Sequence, residues 1–315
     1  MDWTHRLRLR QLQVLLSLAA TQNISHSALQ LNMTQPALSK WLKELEADIG
    51  LPLFERHARG LRPTAFGCTL IEYAARIGNE LDGARDEMAA LRSGSSGRAT
   101  IGASGATIAS VVPQAVLGLL ATMPNASIEV VEGPMDRLFQ QLKQREIDVA
   151  VGRMSPKYHD AEILSEPLYE DRLQFAVRPH HPLASRRKVA WPDLLSQRWV
   201  VWTRDIPARD LLETALVAGG WSLPRGTVES NSLLATIALV ADSDMVAVVA
   251  ERAIELPERA KVLHRLPLRL ETHSPVAMFW RKDAGSSAAV HGLLDALRAI
   301  ARTPTAARGP RRDRT

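Results

Sequence analysis

A chain of 315 residues is long enough for two or three compact units, and its 46% hydrophobic and 23% charged content is that of an ordinary globular protein. A single cysteine, Cys68, excludes an internal disulfide or a cysteine metal cluster and suits a reducing cytoplasm. The net charge of +5, from 39 Lys+Arg against 34 Asp+Glu, suits a polyanionic partner. Much of that excess sits in a Pro/Gly-interrupted tail, where Arg302, Arg308, Arg311, Arg312 and Arg314 face only Asp313, and the composition there predicts disorder over 303–315. Met1 to Arg10 lacks the apolar core and cleavage site of a signal peptide, and no apolar run reaches membrane-spanning length. The expectation is a cytoplasmic protein with no membrane partner.

The first predicted helix carries Leu9, Leu12, Leu15, Leu16 and Ala19 at three- and four-residue spacing, one stripe to bury. Asn23 and Ser25 are candidate caps of a second helix that contributes Ala28, Leu29 and Leu31. After a turn at Asn32, Thr34 is the expected N-cap of a third helix with Pro36 in its first turn, where a missing N–H costs little. Leu38, Leu42, Leu45 and Ile49 then face a core, leaving Gln35, Ser39, Lys40 and Lys43 on the free face. Short helices joined by tight turns describe a helix-turn-helix DNA reader. Gln pairs with adenine edges, Ser and Thr reach bases or phosphates, and Lys supplies charge to the backbone. Gly50-Leu51-Pro52 stops the helix, and residues 55–64 read as two short strands around a basic turn, a wing in which Arg56 and Arg59 would track phosphates. The DNA-facing set is therefore Thr34, Gln35, Pro36, Ser39, Lys40, Lys43, Arg56 and Arg59.

From Thr64 the pattern becomes one long helix. Leu70, Ala74, Ile77, Leu81, Ala84, Met88 and Leu91 alternate four- and three-residue steps, an a/d seam that a second copy would bury. Ser93-Gly94-Ser95-Ser96-Gly97 follows as a joint.

These elements, in this order, resemble the LysR-type transcriptional regulators. The signature elements are Ser27-Ala28-Leu29, Thr34 to Ser39, Leu45-Glu46, Gly50 to Arg56, and Thr64 to Gly67. Ser27 stands where the family often has Ala, and Pro63 precedes Thr64 where Leu is usual. The resemblance implies a homodimer or homotetramer on double-stranded promoter DNA, contact with RNA polymerase, and a small-molecule effector, with no cofactor and no metal.

From Arg98 onward, short apolar runs alternate with helical patterns, as in a parallel α/β sheet. Strands are expected at 99–103, 127–131 and 147–151, with helices at 108–122 and 135–145. A second set of elements begins near 173–177, and a late strand and helix lie at 276–280 and 290–301. The resemblance implies two Rossmann-like, periplasmic-binding-protein-like subdomains crossed twice by the chain. The fold class is thus α/β behind an N-terminal all-α winged helix-turn-helix and a long linker helix. The expected division is 1–66 for DNA binding, 67–97 for the linker and joint, and 98–302 for effector binding. Within the last, one subdomain takes about 98–170 and 271–302 and the other about 171–270.

Ligands in such folds lie off the carboxyl ends of parallel strands. Ser104, Gly105 and Thr107 fill that place after the first strand, and Arg153, Thr203 and Asn231 occupy similar positions. Hydroxyls, free N–H groups and a guanidinium fork suit a carboxylate or phosphate, so the expected effector is an organic anion. Each element also has a bland reading, a capped turn for Ser104–Thr107 and a salt-bridge partner for Arg153. Ala241-Asp242-Ser243-Asp244-Met245 replaces the Gly-x-Gly turn of many family members and resembles a subgroup of regulators of aromatic-acid catabolism and of a sugar-binding protein.

Enzymatic readings find no support. Gly102 to Ala106 matches neither a nucleophile elbow nor a dinucleotide fingerprint, and His180-His181 has no partner at metal-ligand spacing. Cys68 has no activating histidine nearby in sequence. The rival from another class is a cytoplasmic α/β sensor acting through protein contacts alone.

Overall fold

A computed structural model describes residues 3–57, 60–93, 97–204, 206–270, 275–283 and 287–302. The chain forms two compact units, residues 1–89 with 144–146, and residues 90–143 with 147–315. Arg59, the tip of the joint and the tail 303–315 lie outside the described residues.

In the first unit, α1 (Leu9–Thr21), α2 (Ile24–Gln30) and α3 (Gln35–Ile49) lead into β1 (Phe54–His57) and β2 (Gly60–Pro63), then α4 (Ala65–Ser93). The face that α1 buries is Leu12, Val14, Leu15 and Leu18, while Leu9 is exposed. This is a rotation of the expected stripe, and Val14 and Leu18 take the places given to Leu9 and Ala19. On α2, Ala28 and Ser27 are buried and Leu29 is exposed. The Ser27 hydroxyl lies 2.6 Å from Thr21 Oγ1, which itself donates to Asn23 O. Ser27 therefore donates to Thr21, and a buried hydroxyl is satisfied where an alanine would be simpler. Leu38, Leu42 and Leu45 anchor α3.

β1 and β2 form the antiparallel wing, with Arg56 opposite Leu61. Wing and helices are tied through few atoms. Glu46 Oε1 accepts the N–H groups of Leu53 and Phe54 at 2.8 and 3.0 Å. Thr64 N–H binds Leu53 O at 2.9 Å. Thr64 Oγ1 donates to Pro52 O and accepts from Gly67 N–H. A Cβ at Gly67 would stand 2.0 Å from Leu53 O, so the close approach requires glycine.

The second unit contains β3 (Arg98–Ala103), α5 (Gly105–Ile108), α6 (Val111–Thr122), β4 (Ser127–Glu132), α7 (Met135–Lys143), β5 (Val149–Arg153) and β6 (Ile163–Glu170). The chain then crosses to a second sheet with β7 (Leu173–Val177), α8 (Trp191–Leu195), β8 (Trp199–Val201), α9 (Pro207–Ala218), β9 (Val228–Glu229), α10 (Leu233–Ala241), β10 (Val246–Ala250), α11 (Glu255–Arg259) and β11 (His264–Leu270). It returns with β12 (Pro275–Arg281) and α12 (Ala288–Arg302). The strand orders are β4-β3-β5-β12-β6 and β11-β7-β10-β8-β9.

Both sheets are mixed. β3 pairs in parallel with β4 and β5, and β8 with β10 and β9, but β12 runs antiparallel to β5 and β6, and β7 to β10 and β11. The departure from an all-parallel expectation follows from the crossovers, because β12 and β7, the strands that enter from the other sheet, run against the βαβ strands, while β6 and β11, which leave, run with them. α6 and α12 cover one face of the first sheet through Val112, Leu119, Leu293 and Leu297. Leu138 and Leu142 of α7 pack on the other. The second sheet is likewise covered on both faces, by Leu212 and Leu216 of α9 and by Val240 of α10.

Candidate DNA-reading face and effector cleft

Thr34 Oγ1 accepts the Ala37 N–H at 3.4 Å, so this side chain caps α3. Anchored by its leucines, α3 leaves Gln35, Pro36, Lys40 and Lys43 exposed. Ser39 is half-buried because Arg56, from β1, donates Nη2–H to its Oγ at 2.9 Å. The wing cation and the reading helix are thus brought together at one hydroxyl. One lone pair of Ser39 is occupied by Arg56, so its proton is left to donate to an acceptor, such as a phosphate oxygen or a purine N7. Lys40 lies 3.7 Å from Glu44 with both side chains exposed, a pair worth little in water. Glu46, noted in sequence only as a family mark, proves to be the clamp that seats the wing beside this face.

In the second unit the parallel strands end at Ser104, Glu132 and Arg153 in one sheet, and at Thr203, Ser230–Asn231 and Glu251 in the other. The two sets meet at the crossover after β6. Glu251 N–H binds Arg172 O at 2.9 Å, and the Arg252 guanidinium lies 3.8 Å from the centre of the Tyr169 ring. Topology places the expected cleft off these strand ends.

Its residues differ in availability. Thr107 is 2% exposed, and its hydroxyl donates to Ser104 O and Val151 O at 2.8 and 3.0 Å. That proton ties the turn to β5 and is not offered to a ligand. Arg153 donates Nη2–H to Asp171 Oδ2 at 2.6 Å, with a longer contact from Nη1 to Asp171 O, so its fork has an internal carboxylate partner. Burial pushes the Asp171 carboxyl up to about 6; Arg153 pulls it down, and the Glu251 charge adds to the rise. Asp171 Oδ1 and Thr203 Oγ1 are buried without a hydrogen-bond partner. Asn231 is exposed, beside Ser232, whose Oγ caps α10 by accepting Ala235 N–H. Gly105 lies beside Glu132, whose Oε1 would be 3.4 Å from an added Cβ.

Three groups at these loops were not anticipated: Glu132, Asp171 and Arg209. Arg209 is 2% exposed and donates to Trp202 O at 2.5 Å, Glu213 at 2.6 Å and Glu229 at 3.1 Å. It thereby ties the loop after β8 to the end of β9. An arginine in the first turn of a helix opposes the helix dipole and reads from sequence as a surface residue.

The other motifs have structural roles. His181 is buried, and its Nδ1 accepts Leu183 N–H at 3.1 Å, which assigns the proton to Nε2, 3.2 Å from Asp244 O. Burial holds its pKa below the ordinary value. Asp244 also receives Arg178 through Nε and Nη2 at 3.0 and 2.7 Å, so the Asp-Ser-Asp turn is locked to the turn after β7. Cys68 is exposed. Among the described residues, no group of His, Cys, Asp and Glu is placed to hold a metal, and no helix is long and apolar enough to cross a membrane.

A winged helix-turn-helix preceding a two-sheet α/β unit defines a DNA-binding, ligand-sensing class of protein. The chain belongs to the LysR family of transcriptional regulators. Residues 9–68 match the bacterial regulatory helix-turn-helix protein, lysR family, and residues 92–302 match the LysR substrate binding domain. It is 32% identical over 301 residues to the HTH-type transcriptional regulator GbpR of Azospirillum brasilense, covering 95% of this chain and 88% of that one. It is 28% identical over 299 residues to PcaQ of Agrobacterium fabrum, covering 94% and 96%. The fold matches CbnR, a LysR family transcriptional regulator, with a TM-score of 0.69 at 20% identity over 94% of this chain and all of CbnR. It also matches full-length CbnR complexed with its target DNA, with a TM-score of 0.68 over 93% of this chain.

Proposed function

We propose that this chain regulates transcription in the cytoplasm by binding promoter DNA as a homodimer or homotetramer, under control of a small organic effector held in the cleft. The carrying observation is α3, whose Gln35, Ser39 and Lys43 face outward while the wing's Arg56 grips Ser39. Thr34, Pro36, Lys40 and Arg59 complete the proposed DNA-contacting set. Residues 1–66 form the reader, 67–97 the linker and joint, and 98–302 the sensor in this reading. Ile77, Leu81, Ala84, Met88 and Leu91 are exposed along α4, an apolar stripe suited to a second copy. RNA polymerase is the expected protein partner, and no catalytic turnover is expected.

A mobility-shift assay with the DNA upstream of the chain's own gene tests the reading. The expected result is a sequence-selective shift that weakens steeply with salt, because lysine and arginine contacts release counterions. No such shift on that or neighbouring promoter DNA would overturn it.

A further inference from the structure

We propose that the cleft takes an uncharged polyhydroxy compound of the monosaccharide class, held by Glu132, Ser104, Thr203 and Asn231, in place of the organic anion expected from sequence. This rests on the cleft being the effector site.

An anion needs a guanidinium, an ammonium or a set of free N–H groups. Arg153 is matched by Asp171 and Arg209 by two carboxylates, and the guanidinium of Arg252 lies over Tyr169. Arg153 and Arg209 therefore spend their charge on carboxylates inside the fold, and Arg252 is stacked on a ring. The Ser104–Gly105 turn, where an anion would sit, has the Glu132 carboxylate alongside. A carboxylate or phosphate seated there would meet a like charge at close range.

The remaining groups suit hydroxyls. The buried Asp171 Oδ1 is an acceptor without a hydrogen-bond partner, and Glu132 is an exposed carboxylate that only accepts. Thr203 Oγ1 is buried and unpartnered, and Ser104 and Asn231 both donate and accept. A polyol complements such a mixture because every hydroxyl gives one hydrogen bond and takes others. An anion without hydroxyls offers the two carboxylates nothing. Thr107 takes no part, its proton being held by the main chain.

The test is a thermal-shift titration of the full chain with D-galactose, D-glucose, L-arabinose and myo-inositol at millimolar concentration, far below the range where polyols act as osmolytes. Benzoate, succinate, phosphate and putrescine are titrated alongside. The expected result is a saturable rise in Tm with at least one polyol, differing between isomers. Glu132→Gln should weaken that polyol about tenfold while its ligand-free Tm stays at the parent value, and Glu132→Asp should recover part of the affinity. A saturable rise with an anion or with putrescine and none with a polyol overturns the proposal. So does a polyol response that Glu132→Gln leaves unchanged, or no polyol response at all. Because promoter binding is measured separately, loss of this inference with an intact mobility shift leaves the regulator reading standing.

Discussion

Gly67→Ala is a substitution whose sign is decided by a single distance. Gly67 stands in the first turn of α4, where helix propensity alone would favour Ala by about 1 kcal/mol. The added Cβ would lie 2.0 Å from the Leu53 carbonyl oxygen, against the 3.0 Å below which such contacts are essentially never seen. The neighbour is main chain and cannot swing away, so Leu53 must retreat by about 1 Å. Its carbonyl holds Thr64 N–H at 2.9 Å, and its own N–H is held by Glu46 at 2.8 Å. Loosening both bonds costs about 1–3 kcal/mol each. Net of the propensity gain, the wing attachment should lose about 3 kcal/mol. Hydrogen exchange followed by mass spectrometry on the full chain reads this locally. Peptides from 50–64 should exchange about a hundredfold faster in the variant, since each 1.4 kcal/mol is a factor of ten. Peptides from β3 should match the parent. Parent-like protection in 50–64, or an equal loss in β3, would refute the clash.

On the reading face, Ser39→Ala and Arg56→Ala should be non-additive in DNA affinity, with a coupling of about 1 kcal/mol from their shared hydrogen bond. Strict additivity in a double-mutant cycle removes the brace. Gln35→Ala should erode discrimination between sites, whereas Lys43→Ala should weaken all sequences alike, and equal patterns for the two would contradict their roles. Leu81→Lys places a charge in the exposed stripe and should give a monomer by sedimentation; a variant that sediments like the parent excludes the seam. For His181, protonation at Nδ1 would break the bond from Leu183 N–H, and its pKa is depressed in the fold. Between the folded value and the ordinary 6.5 the unfolded chain binds more protons, so stability rises with pH through that window and is lost as pH falls below 6.5. An NMR titration of the His181 ring giving a pKa above 6.5 would reverse that assignment.

The first unit was legible because its information is local. Caps, the Pro36 start, the Gly50 stop and the leucine spacing of α3 all lie within a short stretch, and each acts through its own backbone neighbours. The errors came where two faces of one helix are both apolar. On α1, Leu9 and Val14 are equally hydrophobic, and the partner elements alone decide that Val14 goes inside. In the second unit, β6, β9 and β11 were not singled out. β6 mixes exposed and half-buried positions at the sheet edge, β9 has two residues, and β11 carries a bulge that breaks its period. The antiparallel placement of β12 depends on where the chain returns, a property that hydrophobic period does not encode.

The two candidate sites differ in legibility for a related reason. DNA-contacting side chains must be exposed and unneutralised, so residue type on a free helix face nearly determines role. A cleft's charge belongs to pairs. Arg153 reads alone as a cation waiting for a carboxylate, yet Asp171, after the whole of β6, already supplies one. Arg209 reads as a surface charge, yet Glu229, across α9 and the following loop, completes its neutralisation at 3.1 Å. Glu132 carries no motif, and only the alignment of β4 beside β3 brings its carboxylate to Gly105. Electrostatic character at the cleft is therefore set by the sheet registers, and an effector inferred from lone residues inherits the sign of whichever partner is overlooked.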